Sequence, residues 1–357
     1  MKKVNSAVPV IGGGGQSKKS YIETLRAIAT LAVVFLHINM TLVANYSANE
    51  IGVLNYVIFN DCYILVKWAV PCFIMISGAL LLNPERHVGY SKIAKYIKRM
   101  VGVLLTFGVT YAFMELVFSE KSISIGMVVR AFFYTLQGKS WSHMWYIYML
   151  IGLYLITVPL RYIVERVSNH ELEMIVLTLS IGVFLIPSIN TILGISLENY
   201  MLISEYIVWY LLGYYLSVSE RRMLKYAVSG AIVSAVIMVV EESVTLFHTA
   251  ECFALNHQTK NIFTLVFGAS IFVIIKECCK GDYNNKNHKI RETICLNSFA
   301  IYLIHPLFIN IIYKVLGFTP LSMPIILGIA GLFLIVFVLS LIAAILLKHI
   351  PILKRLL

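Results

Sequence analysis

The chain has 357 residues, of which 59% are hydrophobic and only 13% are charged, with a mean hydropathy of +0.82. Soluble domains carry about 25% charged residues, so this composition excludes an ordinary soluble protein. The net charge of +11 would suit a nucleic-acid-binding protein, but the basic residues fall in short connections and form no continuous patch. We therefore exclude nucleic acid as a partner and predict an all-α, polytopic integral membrane protein.

Two regions follow in chain order: a polar, flexible cytoplasmic tail at 1–20 and a single transmembrane domain at 21–357. The first apolar run is about 22 residues long, which indicates a retained helix and not a signal peptide. About ten spans are predicted from hydropathy, at 22–44, 62–82, 96–118, 143–163, 171–190, 201–217, 224–247, 260–278, 296–316 and 324–347.

Successive connections between the predicted spans are alternately rich and poor in lysine and arginine. One side of the membrane receives 22 of them, the opposite side receives four, and the remaining three lie within or at the ends of spans. Because cytoplasmic connections are enriched in Lys and Arg, this pattern places both termini in the cytoplasm. The protein is therefore expected in a cell membrane, of the bacterial plasma-membrane type.

The six cysteines form no C-x-x-C pair, so neither a zinc site nor a disulfide framework is predicted. Cys62 and Cys252 both fall at the predicted outer face, where a disulfide between them stays open. The H-E-x-x-H and H-x-x-x-x-D motifs are absent from the sequence, and nothing in it requires a metal.

The first span carries two ionisable residues, Arg26 and His37. Eleven residues of helix return to within about 20° of the starting direction, so both lie on one face, roughly 16 Å apart along the axis. Ionisable groups are costly in hydrocarbon and are rarely kept there without a partner or a task. We predict a groove with Arg26 at its cytoplasmic mouth, suited to a phosphate or carboxylate, and His37 near mid-depth as a general base. The alternatives are interfacial snorkelling of Arg26 and an interhelical hydrogen bond of His37.

The predicted outer face has a different character, because acidic and aromatic side chains gather there. An acidic, aromatic surface suits a neutral polyhydroxyl ligand, although a solvated face with an aromatic belt explains it equally well. Four glutamates lie at the outer ends of spans, and so does Lys67; the glutamates are Glu115, Glu205, Glu241 and Glu242. Lys67 suits an ion pair with Asp61 or a glutamate, whereas Glu241 or Glu242 suits an acceptor; the sequence does not separate these roles.

Five ordered stretches resemble the membrane acyltransferase 3 family, and they cover nearly the whole span region. They are E-T-L-R-A-I-A-T-L-A-V-V-F-L-H in the first span, V-P-C-F-I-M-I-S-G-A-L-L-L in the second, the basic stretch 90–100, H-M-W-Y-I-Y-M-L-I-G-L-Y-L from position 143, and Y-L-I-H-P-L at 302–307. The closest type is the stand-alone bacterial O-acetyltransferase of surface polysaccharide. No hydrolase-like domain follows the spans in this sequence, which leaves open whether a partner protein is needed.

The resemblance implies transfer of an acyl group, usually acetyl, from cytoplasmic acyl-CoA to a hydroxyl of an extracytoplasmic glycan. Acetyl-CoA is then the donor substrate, and the expected donor contacts are Arg26, Lys95, Lys98 and Arg99, with Ser77 near the oxyanion. The expected acceptor contacts are His143, Trp145, Tyr146, Glu205, Glu241 and His305. His305, at a depth similar to that of His37, has three interpretations: it orients His37, contacts a ligand or is structural.

Two other functions compete with acyl transfer. A transporter or flippase for a polar solute or lipid-linked sugar would use Arg26 and His37 as a substrate or proton-coupling pair. A non-enzymatic partner of a polysaccharide synthase would need neither residue beyond stability.

Overall fold

A computed structural model describes residues 16–194, 203–221, 223–249, 261–279 and 288–357, and these ranges contain helices but no strand. The helices are α1 (Gln16–Asn45), α2 (Ala48–Ile51), α3 (Val53–Ile64), α4 (Ala69–Leu81), α5 (Tyr90–Val103), α6 (Val109–Glu120), α7 (Ile125–Leu136), α8 (Trp145–Val164), α9 (Asn169–Ser180), α10 (Ile186–Leu193), α11 (Glu205–Val218), α12 (Leu224–Thr249), α13 (Ile262–Cys278), α14 (His288–Asn310), α15 (Ile325–Leu347) and α16 (Pro351–Leu356). Within long helices, π-helical turns at Leu104–Gly108 and Ile181–Leu185 join α5 to α6 and α9 to α10. The all-α fold class is confirmed.

Among the described residues, eight helical segments are long and apolar enough to cross a membrane. They are Ser20–Asn45, Val53–Leu81, Tyr90–Glu120, Ser142–Val164, Asn169–Asn190, Leu224–Val244, Lys289–Val315 and Ile325–Leu347. The other two predicted spans, 201–217 and 260–278, coincide with α11 and α13, whose described lengths are 14 and 17 residues. The protein is therefore a multi-pass membrane protein, and the count of ten spans stays a prediction.

Two boundaries differ from the sequence prediction. Helix α1 begins at Gln16, so the last five residues of the predicted flexible tail are helical, while residues 1–15 lie outside the described residues. The outer connection 119–142 contains helix α7, which the sequence did not predict. Its Met127 and Ala131 pack on Ala112 and Leu116 of α6.

The described chain forms two units. The first unit comprises Pro84–Arg166 and Ile345–Leu357. Its basic segments meet at one end: Arg161 Nη2 donates to the Arg86 carbonyl at 2.7 Å, and Arg99 donates to the carbonyls of Leu356 and Leu357 at 2.7 and 2.8 Å. All three connections were predicted on the cytoplasmic side, so these bonds agree with the predicted alternation.

The second unit comprises the described residues of Ala7–Asn83 and Val167–Ala344. In it α1 packs against α3, α4 and α14, and α4 packs closely on α11. Glycines permit that close crossing: a Cβ at Gly78 would lie 1.8 Å from the Tyr210 carbonyl oxygen, and one at Gly213 would lie 2.1 Å from the Met75 carbonyl oxygen. The glycine of the Ser-Gly pair in the second predicted span therefore has a packing role.

The basic connections of the second unit also meet at one end. Lys276 Nζ donates to the carbonyls of Leu216 and Ser219 at 2.6 and 2.7 Å, at the carboxyl end of α11. Arg221 Nη1 pairs with Glu173 Oε1 at 2.7 Å. Because the last carbonyls of a helix have no intrahelical partner, Lys276 satisfies groups that would otherwise need water.

Candidate active site

His37 and His305 meet between α1 and α14, although they lie 268 residues apart in the sequence. The His305 Nε2 and His37 Nδ1 atoms are 3.1 Å apart, and the ring centroids are 4.8 Å apart with planes at 61°. His305 is fully buried, whereas His37 is partly exposed. Pro306, which follows His305 inside α14, has no N–H to give to the preceding turn, so the backbone is locally less constrained there.

Backbone carbonyls fix the protons of both rings. His305 Nδ1 lies 3.0 Å from the Ile301 carbonyl, and His37 Nδ1 lies 2.9 Å from the Val33 carbonyl. A carbonyl only accepts, so we infer that each Nδ1 carries hydrogen and that each neutral ring has its lone pair on Nε2. The Nδ1–H of His37 is then shared between the Val33 carbonyl and His305 Nε2. His37 Nε2 is therefore the basic nitrogen of the pair.

Arg26 lies toward the other end of the same pair of helices. Its guanidinium hydrogen-bonds the Cys295 thiol of α14, with the carboxylates of Glu23 and Glu292 nearby. Arg26 is partly exposed, and Cys295 is buried. Because Arg26 meets Cys295 and His37 meets His305, α1 and α14 run parallel. The predicted stripe thus has a cationic end and an imidazole end, both bordered by α14.

This stripe lies within a family match that covers most of the chain. The family model described as Acyltransferase domain, of the acyltransferase 3 family, matches residues 19–349. The chain belongs to the acyltransferase 3 family. The resemblance seen in the sequence is confirmed, and with it the assignment as an acyltransferase.

Curated relatives carry a different description. Proteins of Staphylococcus aureus strains MSSA476, MW2 and N315, each described as "Probable poly-beta-1,6-N-acetyl-D-glucosamine export protein", are 21% identical over 303 residues. The match covers 81% of this chain and 82% of each relative. No solved structure matches the chain significantly.

The predicted donor contacts of this family member lie in both units. Lys95 and Lys98 are exposed on α5 of the first unit, while Arg99 holds the carbonyls at the end of α16. Ser77 belongs to the second unit, as Arg26 does, and its hydroxyl donates to the Phe73 carbonyl at 2.9 Å. Arg99 and Ser77 therefore have structural partners in addition to their predicted roles.

The predicted acceptor residues of the first unit differ in exposure. His143 and Tyr146 are buried, whereas Trp145 is 41% exposed. His143 packs edge-on against Tyr111, and Tyr111 in turn stacks on Trp141. The sequence did not single out Tyr111 or Trp141; the signal available was the aromatic-rich run G-K-S-W-S-H-M-W-Y.

The acidic residues of the second unit have identifiable neighbours. Glu241 Oε2 accepts from Asn261 Nδ2 at 3.2 Å, and Asn261 caps α13, so Glu241 supports a helix start. Glu242 is buried close to Asp61.

Three further sequence predictions belong to this unit. Glu205 lies in the first turn of α11. Lys67 Nζ lies 5.2 Å from the centre of the Tyr63 ring, which is a cation–π contact, and the ion pair suggested by the sequence stays a prediction. Cys62 is a free thiol here, and Cys252 lies outside the described residues.

Proposed function

We propose that the protein transfers an acyl group, acetyl by family resemblance, from cytoplasmic acyl-CoA to a hydroxyl of an extracytoplasmic glycan. The observation that supports this proposal most directly is the His37–His305 pair, because it leaves a basic imidazole nitrogen on the same helical stripe as Arg26. A membrane of the bacterial plasma-membrane type is the proposed location.

The reaction needs one base that becomes an acid. In the proposed step, His37 Nε2 removes the proton of the acceptor hydroxyl while the oxygen attacks the thioester carbonyl. The carbon–sulfur bond then breaks, and the imidazolium returns its proton to the departing thiolate, so that ester and free CoA are the products. His305 Nε2 accepts from the imidazolium Nδ1–H and stabilises the charge that forms.

Arg26 has the complementary role of holding the donor. A guanidinium presents several N–H donors in one plane and suits the phosphates of CoA. The exposed Lys95 and Lys98 of the first unit add positive charge to the predicted cytoplasmic side. Ser77 is kept as a proposed oxyanion donor; this requires that its hydroxyl turn away from the Phe73 carbonyl.

The test compares wild type with His37→Gln, and uses His170→Gln as the matched control because His170 is exposed at the start of α9. Proteoliposomes receive acetyl-CoA and a glycan acceptor, and ester formation and thiol release are measured. Loss of transfer by about 10²-fold or more in His37→Gln alone is expected when a general base is removed. Full transfer by His37→Gln contradicts the proposed mechanism.

Glycan export is a second candidate, favoured by the description of the Staphylococcus relatives. Cells that carry His37→Gln separate the two. Acyl transfer predicts surface glycan in normal amount but without its esters, whereas export predicts that the glycan itself fails to reach the surface.

A further inference from the structure

A second polar-aromatic cluster lies in the first unit, between α6 and the loop that precedes α8. The Tyr111 and Trp141 rings are stacked, with centroids 4.4 Å apart and planes 7° apart. The indole Nε1–H of Trp141 donates to Glu115 Oε2 at 3.1 Å. Tyr111 is buried, Trp141 is partly exposed and Glu115 is exposed. We call these three residues the Trp141 platform.

The chain holds Trp141 in this position by several bonds. After α7 the backbone turns at Gly138, whose φ of +75° is in the region that favours glycine, and the Lys139 N–H donates to the Tyr134 carbonyl at 2.8 Å. Ser140 Oγ then donates to the Gly108 carbonyl at 2.8 Å, within the π-helical turn before α6. Hydrogen bonds to α7 and to the π-helical turn therefore hold the two residues before Trp141, which restrains the position of the indole.

The chemistry of the platform matches a sugar ring. The carbon–hydrogen face of a pyranose stacks on an indole, and a neighbouring carboxylate accepts hydrogen bonds from hydroxyls or from the ammonium of a hexosamine. A tryptophan of the membrane-interface belt needs no carboxylate at its N–H. Here Glu115 fixes the indole with one oxygen and is exposed enough to bind a ligand with the other.

We propose that the Trp141 platform is a subsite for a hexopyranose unit of the glycan acceptor. This inference rests on the proposed function and deepens it, because it names residues that recognise the acceptor. Glu115 lies at the end of a helix that begins at the basic residues of α5, so the platform faces the side opposite to the predicted donor entry.

The experiment uses the full chain in detergent, with acetyl-CoA as donor and a pentasaccharide of β-1,6-linked N-acetylglucosamine as the acceptor probe. The variants are Trp141→Ala and Glu115→Gln; Phe118→Ala is the matched control because Phe118 is an exposed aromatic at the same end of α6. Thiol release is measured against acceptor concentration and, separately, against donor concentration.

Trp141→Ala is expected to raise the acceptor KM on the order of tenfold, as for loss of an aromatic anchor. Glu115→Gln is expected to raise it by a smaller factor, since the amide oxygen still accepts from the indole. In both variants the donor KM and the rate of slow acetyl-CoA hydrolysis without acceptor are expected to stay at wild-type values. The control Phe118→Ala is expected to keep the wild-type acceptor KM as well. A merely structural tryptophan would change stability and all these parameters together.

If both variants keep the acceptor KM within about twofold of wild type, the subsite is refuted while the proposed function stands. If Trp141→Ala does not accumulate, Glu115→Gln decides by the same criterion. If wild type transfers no acyl group, the proposed function fails instead. The subsite is then tested by binding alone. Adding the pentasaccharide must change the tryptophan fluorescence of wild type, and this change must be absent in Trp141→Phe.

Discussion

Replacing His305 by phenylalanine tests the proposed division of labour between the two histidines. The ring volume is kept at this fully buried position, but the Nε2 acceptor 3.1 Å from His37 Nδ1 is removed. In the proposed reaction His37 becomes an imidazolium, so the lost bond is one to a charged donor, with a value of about 1.5–3 kcal/mol. Since each 1.36 kcal/mol in the barrier changes the rate tenfold, kcat should fall roughly 10- to 150-fold.

The assay is steady-state acetyl transfer at saturating donor and acceptor. Asn297→Leu is the matched control, because the buried Asn297 also lies in α14 and donates to the carbonyl four residues earlier, that of Thr293, at 2.8 Å. His305→Gln, which keeps an acceptor, should recover part of the rate. The double variant with His37→Phe should be no slower than His37→Phe alone, since residues that act as a unit are not additive. A folded His305→Phe protein with kcat within about threefold of wild type would refute the reasoning.

Three further predictions concern the donor and the packing of the second unit. Arg26→Gln should raise the KM for acetyl-CoA on the order of tenfold but leave turnover of acetyl-pantetheine, which lacks the nucleotide phosphates, unchanged; an equal loss with both donors would contradict the phosphate contact. Gly78→Ala should abolish accumulation of folded protein, because its Cβ would lie 1.8 Å from a backbone oxygen of α11. The control Gly152→Ala should accumulate normally in membranes, because its Cβ would meet no heavy atom within 4 Å. Lys276→Met should lower the free energy of unfolding by about 1–2 kcal/mol, because the hydrogen bonds to the end of α11 are lost. Thermal unfolding compares this variant with Lys289→Met, a substitution of an exposed lysine. Equal melting temperatures of the two variants would contradict the prediction.

Much of the fold follows from the sequence because hydropathy and charge are summed over whole segments. A span of about 20 apolar residues can be recognised from the sequence whatever its neighbours are. Arg26 and His37 share a face through helical geometry alone. Helix α7 was missed because its 12 residues are too short to span and lie in a segment predicted only as a connection.

Contacts between residues that are far apart in the sequence could not be predicted in the same way. The depth of His305 in its span left three interpretations open, and the one in which it orients His37 could not be selected because the 3.1 Å contact depends on how α1 and α14 pack. Arg99 was predicted only as a contact to the acyl donor, because its carbonyl partners at Leu356 and Leu357 lie more than 250 residues away in the sequence. The stacking of Trp141 on Tyr111 depends on a left-handed turn at Gly138, which composition does not encode.

The 268 residues that separate His37 from His305 also have a consequence for biosynthesis. At about 5–20 residues per second, a ribosome needs roughly 13 to 54 seconds to make the intervening chain. During that interval α1 resides in the membrane with its imidazole but without the partner that orients it. Until α14 has been inserted, a nascent protein therefore lacks the hydrogen bond that would stabilise the His37 imidazolium, and we expect full activity only with an almost completely assembled bundle.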